Sequence, residues 1–210
     1  FSMAMAARPL VIAHASTGAT TDPEVTRAVV DRALAGGAVT VYVTETSPRG
    51  AHFEATGHGL FAAYDPRVRL TDVRTLPVVL AAVPGGGAYN AVFAPDLYVR
   101  TDIVFISVGK LKTHEQTVVS LSVKNLFGLP SVDRYVGVPT NGRFAMHDRD
   151  LTQTILDLSR LRPIHFAVVD GMVGMEGPGP AFGTPVRMDV VLAGRNAVAV
   201  DRAALGIMAI

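Results

Sequence analysis

The first clear pattern along the chain is an apolar run, P-L-V-I-A-H-A at 9–15, followed by small and polar residues to position 20. A short apolar run bounded by turn formers predicts a buried strand and a loop. Val25, Ala28, Val29 and Ala33, with Arg32 among them, then leave one mostly apolar stripe at helical spacing. Thr21 is placed to cap that helix, Pro23 has the fixed φ of a first-turn residue, Glu24 completes a capping box, and Gly36-Gly37 ends the element. The alternation A-V-T-V-Y-V-T after those glycines predicts a second strand. Together they form a βαβ unit, hence a parallel pair.

Downstream, the pattern predicts a helix over 51–64, short strands over 68–73 and 77–83, a short helix or turn over 94–101, and a strand over 103–108. Pro84-Gly85-Gly86-Gly87 reads as a turn, because it lacks the Lys-Ser/Thr pair and the following helix of a phosphate loop. Residues 116–129 satisfy both periods: Val119, Leu121 and Val123 alternate, and Val118, Leu121 and Leu126 also fit a helix. Thr113 with Gln116 resembles a capping box and Gly128 a stop, so a helix is expected there. After a long loop over 130–147, Asp148 or Asp150 should cap a helix running through Arg160. P-I-H-F-A-V-V-D at 163–170 reads as a buried strand, 186–193 as another and 197–208 as a final helix.

Helices and strands therefore alternate, which predicts an α/β fold with a doubly wound, mostly parallel sheet, helices on both faces and mixed edge strands. Residues 8–210 read as a single domain. The first seven residues look like a tag remnant, and the end inside an apolar helical pattern reads as a truncated C-terminus.

Composition narrows the chemistry. The formal charge is +1 with 18% charged residues, so no basic nucleic-acid surface is expected. Cysteine is absent, which excludes disulfides, thiolate nucleophiles and any iron–sulfur cluster ligated by this chain's own cysteines. No apolar run reaches the roughly 18 residues that span a bilayer and no export signal precedes the first strand, so a soluble, cytoplasmic protein is expected.

In open α/β sheets, ligands bind beyond the carboxyl ends of the strands, near a reversal of strand order. That rule collects His14 with the Ser16-Thr17-Gly18 loop, Glu45-Thr46-Ser47, the stretch Lys110 to His114, and Asp170-Gly171. Lys110 and Lys112 lie two apart and can face one side, beside the amides of a helix starting near Thr113, so they form a candidate anion cradle. Two solvated lysines at a strand end are the simpler alternative. His114, with His147, Asp170 and Glu176 elsewhere, could make an acid/base group. No His-x-x-x-His pair is present, so no metal is expected. His165 reads as a packing histidine, and His52 and His58 as surface residues. Lys124-Asn125, a polar pair within an apolar stretch, needs solvent or a partner, and the glycines from Gly171 to Gly183 allow close backbone approach around Glu176.

The runs T-T-D-P-E-V-T-R-A-V-V, V-G-K-L-K-T-H with S-V-K-N-L-F-G-L, V-V-D-G-M-V-G-M-E-G-P-G-P with G-T-P-V, and V-L-A-G-R-N-A-V-A-V-D resemble, in this order, the domain-of-unknown-function 362 family. Lys110, Lys112, Thr113, His114, Lys124, Asn125, Asp170, Gly171, Glu176 and Asp201 fall in its motif positions. Some members are joined to ferredoxin-like iron–sulfur modules, which implies redox work for those. In this cysteine-free chain such work would need a separate redox partner or an organic cofactor of unknown identity.

The leading expectation is an enzyme that holds a small anionic molecule, phosphate- or carboxylate-bearing, at the sheet rim. Lys110, Lys112, Thr113, Lys124, Asn125, Gly171 and Glu176 would bind it, and His114, His147 and Asp170 would act catalytically. A non-catalytic binding module for an anionic metabolite is one alternative. An interaction subunit for an iron–sulfur partner, using an apolar patch around Phe127 and Leu129, is another.

Overall fold

The computed structural model of the chain describes residues 10–14, 20–45, 53–135, 144–180 and 182–210. The expected tag remnant, the 15–19 loop, residues 46–52 and the middle of the long loop, 136–143, lie outside the described residues, as do the side chains of His14 and Glu45.

The chain opens with β1 (Leu10–His14), α1 (Pro23–Ala35) and β2 (Val41–Glu45), and β1 pairs with β2 in parallel. Helix α1 starts where its Pro23 and acidic first turn predict. Its cap is Asp22, whose carboxylate accepts the Glu24 amide at 2.8 Å. Thr21 is buried instead, donating to the Val108 carbonyl at 3.3 Å. The chain then forms β3 (Val68–Asp72), a hairpin of β4 (Val78–Ala82) and β5 (Ala91–Pro95), and α2 (Asp96–Val99). The helix expected over 51–64 is, in its described part, a 3-10 turn over His58–Ala63. His58 is wholly buried between the Thr26 and Thr56 hydroxyls, not on the surface.

Strand β6 (Val104–His114) does not stop at the sheet rim, and no helix starts at Thr113. It carries K-L-K-T-H as strand, and the chain turns back as β7 (Val118–Ser120), pairing antiparallel so that His114 faces Val118. A 3-10 helix spans Lys124–Gly128. Of the two periods in this stretch, the strand period applies up to Ser120, because the edge of β6 offers backbone partners that an isolated helix start would not use. The Thr113 hydroxyl makes no cap; it donates to the Met175 carbonyl at 3.5 Å. Gly109 permits the fold-back, since a Cβ there would stand 2.8 Å from the Leu121 carbonyl oxygen.

The remaining elements are α3 (Phe144–His147), α4 (Leu151–Leu161, capped by Asp150), β8 (Phe166–Glu176), β9 (Thr184–Gly194) and α5 (Ala197–Ile207, capped by Asn196). The expected glycine loop after Asp170 is strand as far as Glu176, with the hairpin turn beyond it. His165 is exposed, not packed in a core; its Nδ1 accepts the Phe105 amide at 3.0 Å.

Among the described residues, seven strands form one mixed sheet in the order β3-β2-β1-β6-β8-β9, with β7 on β6. The β1, β2, β3, β6 and β8 pairings are parallel; β9 and β7 run antiparallel to their neighbours. Alternate residues of β6 point to different cores. Ile106 and Val108 pack with Val25, Val30 and Ala33 of α1, whereas Phe105 packs with Leu151, Ile155 and Leu158 of α4. Leu111 joins Ala167, Val169 and the α5 residues Val200 and Ala204. Register matters for the site: β1 accompanies β6 only to Ser107, so 108–114 rise beyond the end of β1.

Candidate functional site

Asp170 is fully buried and organises the rim. Its Oδ2 accepts both the Lys110 ammonium and the Asp22 amide at 2.7 Å, and its Oδ1 accepts the Met172 amide at 2.9 Å. In many open α/β folds an anionic ligand occupies the N-terminus of the helix after β1. Here the carboxylate of Asp170 reaches the capping residue of that helix, and it balances the charge of Lys110 as well.

Lys112 has a different setting. It is 4% exposed, and its ammonium lies 3.4 Å from the Pro180 carbonyl, in the turn joining β8 to β9. That turn folds closely over β6: the Glu115 amide donates to the Gly179 carbonyl at 3.1 Å, and a Cβ at Gly179 would collide with the Thr113 backbone. Burial, and then the charge of Lys110, push the Lys112 ammonium down to about 8.

His114, at the end of β6, is half-buried, and its Nδ1 accepts the Gln116 amide at 3.2 Å. Burial is the main cause that lowers its pKa to about 4, followed by Lys124, Lys112 and His147, all acting in the same sense. At neutral pH the imidazole is therefore uncharged. With Nδ1 accepting, Nε2 carries the proton and can donate it to a ligand oxygen.

Phe127 links the two flanking groups. The Lys124 ammonium sits 4.5 Å from the ring centroid, and the His147 ring packs edge-on at 4.6 Å. Lys124 is positioned by what its neighbours bond. Asp201 of α5 accepts the Ser122 amide (2.9 Å), the Ser122 hydroxyl (2.6 Å) and the Val123 amide (2.9 Å). Burial raises the pKa of Asp201, and these bonds offset part of that shift. Asn125 donates to the Ser107 hydroxyl at 3.1 Å, which in turn donates to the Ser122 carbonyl at 2.8 Å. The S-V-K-N segment is thus clamped between β6 and α5.

The structure therefore brings Lys112, Lys124 and His147 to His114, whereas Thr113 and Asn125, their neighbours along the chain, bond to the Met175 carbonyl and the Ser107 hydroxyl. Lys110, Asp170 and Gly171 lie lower, in the sheet, with Lys110 and Asp170 engaged with one another. Glu176 is exposed at the far end of β8. The cradle of two lysines on helical amides does not form, because strand replaces the helix. The apolar patch expected around Phe127 and Leu129 is also absent: they are 7% and 1% exposed. Sequence reasoning passed over Asp22 and Ser107, two small polar residues whose partners are distant in sequence. Among the described residues, no group of three or more His, Asp or Glu side chains is gathered as a metal ion would need, and no helix is long and apolar enough to cross a membrane.

A mixed α/β sheet with a cationic group above its rim is the class these features define. The chain belongs to the family described as domain of unknown function (DUF362), which matches residues 9–206. No curated protein matches it. Among solved structures it is similar to a crystal structure of a Thermotoga maritima protein determined by a structural genomics consortium, at 12% identity and a TM-score of 0.55. That likeness covers 98% of this chain and 55% of the other, so this chain spans little more than half the length of its structural relative and shares its fold.

Proposed function

We propose that the chain holds a small anionic molecule, phosphate- or carboxylate-bearing, above the carboxyl ends of β1 and β6. The observation that supports this reading most directly is at His114, where Lys124, Lys112 and His147 converge from three elements and act with one sign. Gathering the two lysines at a half-buried place costs free energy that a bound anion would recover. In this reading the sheet is doubly wound and mostly parallel, with α1 on one face and α4 and α5 on the other. The ligand lies beside the reversal of strand order between β1 and β6, where such sheets bind ligands. Lys112 and Lys124 supply charge, and His114 donates from Nε2 without carrying charge itself.

The test is thermal melting with inorganic phosphate, small carboxylates and nucleotides, since a ligand stabilises the state that binds it. At least one anion should raise the melting temperature of the wild type. Lys124→Gln, which removes one charge-assisted bond of about 1.5–3 kcal/mol, should weaken that ligand about ten- to a hundredfold. Equal stabilisation of both proteins by every anion would refute the reading.

A further inference from the structure

The buried lysine of this group has a consequence beyond anion binding. We propose that the end of β6 takes up a proton from solvent together with its anion, at Lys112, so that a fully ionised divalent oxyanion binds as a proton-coupled ligand. The inference rests on the anion site proposed above and specifies the ligand's charge and the linkage of that site to pH.

Among the described residues, Lys112 is one of few charged side chains to be almost wholly enclosed. Charged and titratable groups come to the end of β6 from several elements. On β6 itself are Lys110 and His114; on β8 is Asp170, bonded to Lys110, with Glu176 exposed at the strand's end. The 3-10 helix brings Lys124, and α3 brings His147, to the neighbouring His114. Asp201, from α5, is directed to the Ser122 and Val123 amides. The turn over the site presents the Pro180 carbonyl, a neutral acceptor, to the Lys112 ammonium.

In this setting an ammonium has lost most of its water and has Lys110 as a charged neighbour, which is why it holds its proton less firmly than an exposed lysine does. A divalent anion reverses both effects: it supplies hydrogen-bond acceptors in place of water and outweighs the neighbouring charge. The proton then returns to Nζ, amine becoming ammonium, and no bond within the ligand is made or broken. By linkage, affinity must fall as the lysine deprotonates in the free protein.

Sulfate is the appropriate probe, because it carries no titratable proton at neutral or alkaline pH and any proton uptake belongs to the protein. Calorimetric titration of the wild type with sulfate at about pH 8.5, in two buffers of different ionisation enthalpy, should show more than about half a proton taken up per sulfate bound. Above that pH the affinity should fall by about tenfold per unit. Lys112→Met should bind sulfate more weakly and without the uptake. Lys112→Arg, which keeps its charge throughout this range, should also lose the uptake, and it serves if the methionine variant does not fold. Sulfate binding to the wild type with no proton uptake, or uptake unchanged in either variant, would overturn the inference while leaving the anion site standing. Failure of sulfate to bind the wild type at any pH would overturn the inference, and the anion site falls with it if phosphate, small carboxylates and nucleotides also leave the melting temperature unchanged.

Discussion

Lys110 and Asp170 meet across the parallel pair β6 and β8 in an ion pair of 2.7 Å, their side chains 9% and 0% exposed. Through the other bonds of Asp170 this pair also holds the start of α1 and the backbone at Met172. Removing one partner leaves a buried charge without compensation, so Asp170→Ala should destabilise the protein by about 3–5 kcal/mol. The double variant Lys110→Met/Asp170→Ala should lose less, because no buried charge is left behind. Urea unfolding of the wild type, both single variants and the double variant measures this directly; a double variant as unstable as the sum of the singles would show that the two residues act independently.

Lys112 makes stability depend on alkaline pH in the unliganded protein. Its folded-state pKa, about 8, lies below the unfolded value of about 10.4, so between these limits the unfolded chain binds more protons and stability rises with pH. The contribution is up to about 3 kcal/mol. Lys112→Met should be the more stable protein near pH 7 and should lack this rise. The check is denaturant unfolding of both proteins from pH 7 to about 10, where parallel curves would show that Lys112 is not held in a depressed state.

Asp157 of α4 is fully buried and accepts the amides of Gly87, Ala88 and Tyr89 in the β4–β5 turn. This glycine turn therefore already holds an anion, one of the chain's own. Burial by itself would raise the pKa of Asp157, but the amides of Gly87 and Tyr89, the Gln153 side chain and the Ala88 amide outweigh it and bring the group to about 2. The stabilisation, about 2 kcal/mol, is complete above the unfolded pKa of about 3.9 and is lost as pH falls through 2. Asp157→Ala should cost at least that much at neutral pH and show a shallower acid transition, as read by circular dichroism.

Val118 occupies the left-handed region, at φ 65°, at the start of β7 just after the turn from β6, and is 59% exposed. For a β-branched residue this conformation costs about 1–2 kcal/mol, and little packing offsets it. Val118→Asn should therefore raise stability by about 1 kcal/mol, a shift of a few degrees in melting temperature. A lower melting temperature would mean that the valine side chain makes contacts worth more than the strain.

Some of this protein is written locally in its sequence. The apolar run of β1, the proline-led start of α1, the glycines that end it and the alternation in β2 are decided by hydration, φ restriction and side-chain period, all properties of neighbouring residues. The same holds for the aspartate cap of α4 and for the lack of any thiol chemistry. The segment from Lys112 to Gly128 is different, because its residues satisfy strand and helix patterns alike; the partner edge of β6 and the bonds from Asp201 settle it, and those lie far away along the chain. Whether a lysine is a solvated cation or a buried one cannot be read from the spacing of Lys110 and Lys112 either. That depends on Asp170, which arrives on β8, and on the turn that closes over β6 with Pro180. Hydrogen-bond partners, burial and pKa are properties of the assembled neighbourhood, so tertiary structure alone separated the ion-paired Lys110 from the enclosed Lys112 and brought Lys124 and His147 to the side of His114.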